Sequence, residues 1–128
     1  MAGLEAVMAG KEGLKPAQPR LVIEVPESVR TLGTDPKKLV FRLLTLSQEL
    51  DASRVAGGNN DVKLWEQIKR ALAEVDGHVP DAVRAGADSV VEHMSPACRR
   101  LVEAAWLRFT YPKGDLDPLL EASTRVEV

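Results

Sequence analysis

The hydrophobic positions change period along the chain, and each period predicts a different element. Arg20-Leu21-Val22-Ile23-Glu24-Val25-Pro26 is rich in β-branched residues and closed by proline, the pattern of a strand. Lys38 to Leu44 alternates, with Val40, Arg42 and Leu44 to one side and Leu39, Phe41 and Leu43 to the other. Gly33-Thr34-Asp35-Pro36 between them is a turn signal, so 20–45 reads as a β-hairpin. Leu39, Leu43, Leu46 and Leu50 also suit a helical stripe, so a helix over 37–52 is the competing reading. The strand up to Leu44 is preferred because a helix-start signal follows it.

That signal is Thr45-Leu46-Ser47-Gln48, a capping box in which hydroxyl and amide side chains satisfy each other's backbone N–H groups. The helix it opens runs to about Ala56 and ends at Gly57-Gly58. Asn59, Asn60 or Asp61 caps a second helix, whose Trp65, Ile68, Leu72 and Val75 form one apolar stripe before Asp76-Gly77 stops it. Over 78–94, Val79-Pro80-Asp81 reads as a turn or helix start, Gly86 weakens any continuous helix, and Ser89–Met94 is expected to be helical. Ser95-Pro96 starts a longer helix, to about Tyr111, with Cys98, Leu101, Val102, Ala105 and Phe109 on one face and Trp106 beside it. Pro112 ends it, Asp115–Ala122 is a short last helix, and the alternating Thr124–Val128 adds a strand or stays loose.

The predicted fold is therefore mostly α: a small N-terminal β-hairpin followed by a three-to-four-helix bundle. Trp65, Ile68 and Leu72 are expected to pack against Leu101, Ala105 and Phe109. Residues 1–19, with Gly3, Gly10, Gly13, Pro16 and Pro19, read as a flexible arm, 20–122 as one compact domain, and 123–128 as a tail.

Composition narrows the function classes. A chain of 128 residues is the size of one domain and can bury a core without disulfides or metal. Aromatics are only 4% of the chain, so that core is aliphatic. A net charge of -2 argues against a dedicated nucleic-acid-binding domain, which needs a basic excess to neutralise phosphates. The one cysteine, Cys98, excludes an internal disulfide. No apolar run approaches membrane-spanning length, and Met1–Gly10 lacks the basic start of a secretory signal, so the expected location is cytoplasmic.

Candidate chemistry is sparse. There is no Gly-rich phosphate loop, no Gly-x-Ser-x-Gly elbow and no His-Glu-x-x-His pair. His78, His93 and Cys98 do not make a four-ligand zinc set, and no cofactor or metal is expected. Cys98, beside Arg99 and Arg100, could be activated, but its place on the apolar stripe reads as buried and inert. Arg99, Arg100 and Arg108 are interrupted by Glu103, which reads as a mixed solvated face. Asp76, Asp81, Asp115 and Asp117 sit at turns and helix starts, where capping accounts for them. These residues point to a protein that is not an enzyme.

One stretch carries a family likeness. Val40-Phe41-Arg42-Leu43-Leu44-Thr45-Leu46-Ser47-Gln48-Glu49-Leu50-Asp51-Ala52 follows a strand closed by proline. Arg54-Val55-Ala56-Gly57-Gly58-Asn59, then Trp65 to Gly77, and finally Ala104-Ala105-Trp106-Leu107-Arg108-Phe109 complete the order. Over roughly 20–122 this resembles the small tail-assembly chaperones and related baseplate or tail proteins of bacteriophages, and departs from them in a longer, Ala/Gly-rich 78–94 segment. The resemblance implies no catalysis. It implies binding to a tape-measure, tail or baseplate protein, in the host cytoplasm during assembly and in some cases in the virion.

The expected contact surface is the hairpin, with Leu21, Ile23, Val25, Val40, Phe41 and Leu43, because two apolar faces exceed what the remaining elements can cover. A partner chain or a second copy would cover the excess. The alternatives are a small terminase-like DNA-packaging adaptor or other DNA-binding protein, and a small enzyme or redox protein using Cys98.

Overall fold

The computed structural model describes residues 18–79, 90–111 and 118–127. The arm at 1–17, the Val79-Pro80-Asp81 start beyond Val79, Gly86, Pro112 and the Asp115 helix start lie outside the described residues. The chain runs through β1 (Arg20–Glu24), a 3-10 turn (Glu27–Val29), β2 (Lys38–Arg42), α1 (Leu46–Ala56), α2 (Asn60–Ala71) and β3 (Leu72–Val75). After a helical turn at 90–92 come α3 (Pro96–Thr110), α4 (Pro118–Ser123) and β4 (Thr124–Glu127).

The four strands form one antiparallel sheet in the order β3-β2-β1-β4. The fold is thus mixed α/β, which corrects the expectation of a mostly helical chain with a bundle. The hairpin exists, with Leu21 opposite Phe41 and Ile23 opposite Leu39, but it is the centre of a sheet and not an appendage. Two additions make the difference. Thr124–Glu127 pairs with β1, Leu21 opposite Val126. Leu72–Val75, expected at the end of a helix, leaves α2 without a break and pairs with β2 through a bulge between Val40 and Phe41. Leu72 caps α2 with ψ 119, already an extended conformation.

The two faces of the sheet differ. Leu21, Ile23, Leu39 and Phe41 belong to the core, together with Ile68 and Ala71 of α2 and Cys98, Leu101, Val102, Ala105 and Trp106 of α3. Trp106 stands 6.2 Å from Phe41 and 5.9 Å from Phe109, ring centre to ring centre. Trp65, Leu72 and Phe109 pack against this core as partly buried neighbours. The two helical stripes therefore meet in one core over the sheet, α3 leaning chiefly on β1 and α2 on β2.

On the opposite face Val22 and Val40 are also buried, but they are bracketed by charge. Arg20 reaches Glu74 at 3.1 Å and Glu127 at 2.8 Å, while Arg125 reaches Glu127 at 2.8 Å and Glu24 at 2.6 Å. Long arginine stems in such a lattice shield apolar atoms while keeping their heads in water. The second apolar face expected of the hairpin is therefore two buried valines flanked by an ion-pair network that joins β1, β3 and β4.

Local signals account for most element ends. Thr45 and Gln48 form both halves of the capping box, and Gly57 closes α1 at φ 57. Asn59 is the residue that caps α2, accepting from the Asp61 and Val62 amides. The Ser95 hydroxyl accepts from the Cys98 amide with proline at the first turn of α3. A buried carboxylate, Asp35, joins the hairpin to α3. Its Oδ1 accepts from the Ser95 amide at 2.8 Å and its Oδ2 from the Leu32 amide at 3.0 Å. Burial works to raise the Asp35 pKa, but the hydrogen bonds from Ser95, Leu32 and Thr31 outweigh it and hold the group below its ordinary value.

Candidate protein-docking surface

The capping box and Gly57 fix the length and phase of α1, and that phase decides which side chains it displays. Ala52, fully buried, and the half-buried Gln48 and Ala56 occupy one side, and α1 packs against α2. A small alanine at the contact lets the two helices approach closely. Leu46 and Leu50, one turn apart, fall on the other side and are 69% and 52% exposed. Leu43, 46% exposed, lies in the loop that joins β2 to α1.

Leu43 is also where two depressions meet. One is an apolar cleft of about 420 Å³ between the end of the sheet and the second half of α3, walled by Leu21, Leu43, Ala105, Phe109 and Val126 with Arg108 on its lining. The other, of about 260 Å³, is bounded by Leu43, Leu44, Gln67, Trp106 and Tyr111. Tyr111 is 70% exposed, so the surface around Leu43 combines aliphatic and aromatic groups open to solvent.

Of the six residues expected to contact a partner, Ile23, Val25, Val40 and Phe41 are buried and contribute no surface. Leu21 is buried but forms part of the cleft wall, and Leu43 is exposed. The six do not form one patch: Val40 faces the ion-pair side and the others the core side or its end. Leu46 and Leu50 are the exposed leucines of α1. The signal was present in α1, where leucines at 46 and 50 share one face while alanines at 52 and 56 lie on another.

Cys98 is fully buried, and its thiol is pushed up to about 11, first by burial and then by the neighbouring Asp35 carboxylate. A thiol so placed stays protonated at neutral pH. Among the described residues no three His, Cys, Asp or Glu side chains converge as metal ligands, and no helix is long and apolar enough to cross a membrane. Glu66, nearly buried on α2, pairs with Arg70 and with Lys69 at 2.7 Å. Burial works to raise its pKa, and the two cations more than offset that and lower it. This cluster knits one face of α2 and accounts for its charges.

No protein-family model, curated protein or solved structure matches the chain.

Proposed function

We propose that this protein acts without catalysis, by binding another protein chain through the Leu43–Leu46–Leu50 ridge, as an assembly factor of the kind that the phage tail chaperones and baseplate proteins represent. The observation that supports this reading is the orientation of α1. The helix spends an alanine on its own fold and turns its leucines outward, and exposed aliphatic side chains in a row are the means by which helices dock into grooves of partners. A tail, baseplate or tape-measure protein, or a second copy, is the class of partner proposed, met in the host cytoplasm during assembly.

The test is the double substitution Leu46→Glu, Leu50→Glu. Both positions are exposed, so stability should change by no more than about 0.5 kcal/mol. Self-association in light scattering, and co-purification with tail-tube or tape-measure proteins expressed from neighbouring genes, should both be lost. A parent protein that is monomeric at every concentration and retains none of these partners would refute the reading. An electrophoretic shift of DNA whose affinity falls steeply with salt would move the assignment to the DNA-packaging alternative.

A further inference from the structure

The cleft beside Leu43 is concave, apolar and built by three elements: Leu21 comes from β1, Ala105 and Phe109 from α3, and Val126 from β4. Its volume of about 420 Å³ is that of a small-molecule site. Such sites hold roughly 300–1,000 Å³ and combine apolar walls with a few polar groups. Two arginines lie on the lining, and they differ in what neutralises them. Arg125 is held by Glu24 at 2.6 Å and by Glu127 at 2.8 Å. Arg108 makes no ion pair among the described residues, and its Nε is buried without a hydrogen-bond partner. Its own helix offers no acid one turn away, where Ala104, Ala105 and Tyr111 stand. Thr124, also on the lining, already donates its hydroxyl to the Leu120 carbonyl at 2.6 Å. A guanidinium beside apolar walls without a counter-charge is costly, and a carboxylate matches its planar fork with two parallel hydrogen bonds.

We propose that this cleft binds a small aliphatic monocarboxylate, its carboxylate on Arg108 and its hydrocarbon chain against Leu21, Phe109 and Val126. One uncommitted cation fits one negative charge, whereas a phosphate ester brings a second charge that Arg125, already doubly paired, does not meet. The walls favour a chain without polar substituents, because each polar group buried there without a partner would weaken binding. Leu46 and Leu50 are not part of the lining, so the site does not rest on the protein-binding reading.

The probes are octanoate and its uncharged counterpart octanol, titrated calorimetrically into the full chain. Octanoate should saturate the protein below about 1 mM. Octanol should bind at least about tenfold more weakly, the factor that a hydrogen bond to a charged group supplies. Arg108→Gln should weaken octanoate by about the same factor and leave octanol unchanged. Val126→Ser, at a wall position that is 54% exposed, should weaken both probes about fivefold through lost apolar contact, which places them in this cleft. Circular dichroism melting confirms that each variant is folded. No saturation by octanoate below about 1 mM would overturn the proposal. So would octanol that binds as tightly as octanoate, or octanoate binding that Arg108→Gln or Val126→Ser leaves unaltered. Octanoate that dissociates a self-associated form in light scattering would assign the cleft to a second copy and overturn the small-ligand form. The Leu46→Glu, Leu50→Glu protein should bind octanoate as the parent does, so failure of this site and failure of the docking surface remain distinct.

Discussion

Replacing Asp35 by asparagine removes a charge and almost no volume from the joint between the hairpin and α3. Asparagine retains one carbonyl oxygen, so it can satisfy either the Ser95 amide at 2.8 Å or the Leu32 amide at 3.0 Å, and its NH2 group faces the other. The unmatched buried N–H costs about 1–3 kcal/mol, and the surviving bond, no longer charge-assisted, gives up about 1 kcal/mol more. Asparagine is cheaper to bury than a carboxylate, which returns part of the loss. The expected net destabilisation at pH 7 is roughly 2–3 kcal/mol, read from urea unfolding at constant m-value. The same substitution has a second consequence that a general loss of packing lacks. The Asp35 carboxylate is one of the two causes that raise the Cys98 thiol, so its ionisation should move down from about 11 while burial keeps it above 9.0. Thiolate absorbance in the ultraviolet, followed against pH in the folded protein, reads this directly. A stability loss under about 0.5 kcal/mol, the range of surface substitutions, or an unmoved Cys98 titration, would refute the argument.

Further perturbations test other parts of the structure. Ile68→Ala, at a fully buried position under the sheet, should cost about 2–5 kcal/mol in chemical denaturation, and a loss below about 0.5 kcal/mol would show the core assignment to be wrong. Gly77→Ala meets no neighbouring atom within 4 Å but must hold φ 84, so its expected cost of about 1–2 kcal/mol is backbone strain alone, visible as a lowered melting temperature. Asp35, Glu66 and Glu127 all have depressed pKa values, so the stability they contribute is present above their ordinary values and is lost as pH falls through the folded ones. Acid unfolding should accordingly begin below about pH 4, and Asp35→Asn, which has already lost the Asp35 contribution at pH 7, should show a shallower fall of stability with pH. Cys98 acts in the opposite sense: its raised pKa contributes stability that is intact below 9.0 and declines as pH rises toward about 11.

What was legible in the sequence was what local chemistry decides. Thr45 with Gln48, Gly57, Asn59 and Ser95-Pro96 all act within a few residues, so each could be recognised without knowing the rest of the fold. The strand at Leu72–Val75 was not, because Leu72 and Val75 continue the helical spacing of Trp65 and Ile68 and equally suit the inner face of a sheet. The deciding signal lay one residue later. Asp76 and Gly77 have φ 51 and 84, and the Val75 and His78 amides and carbonyls bond reciprocally across them at 2.8 and 2.9 Å. This is a two-residue hairpin turn of the type that Asp-Gly favours, where a helix stop was expected. Asp76 also accepts from the Lys37 and Lys38 amides at 2.7 and 2.9 Å, which ties the turn to the start of β2. The partner of β1 was hidden for a different reason: Arg20 and Glu127 are 107 residues apart, and no local pattern announces a pairing of that range. Once β3 and β4 flank the hairpin, Leu21, Ile23, Leu39 and Phe41 are spent on the core, and the exposed leucines Leu46 and Leu50 lie on α1.

The pairing of β1 with β4 also sets how this domain responds to tension. Arg20 opposes Glu127, so the chain enters β1 and leaves β4 at the same corner of the sheet. Force applied through the flanking chain would therefore act across the ladder and open it one bonded pair at a time, beginning with the Arg20–Glu127 ion pair, in the manner of a zipper. Strands pulled lengthwise past each other must break their bonds together and resist far more. Anchored at both ends, the domain would yield first at β4 and would uncover the edge of β1 while the β1–β2 hairpin stayed closed.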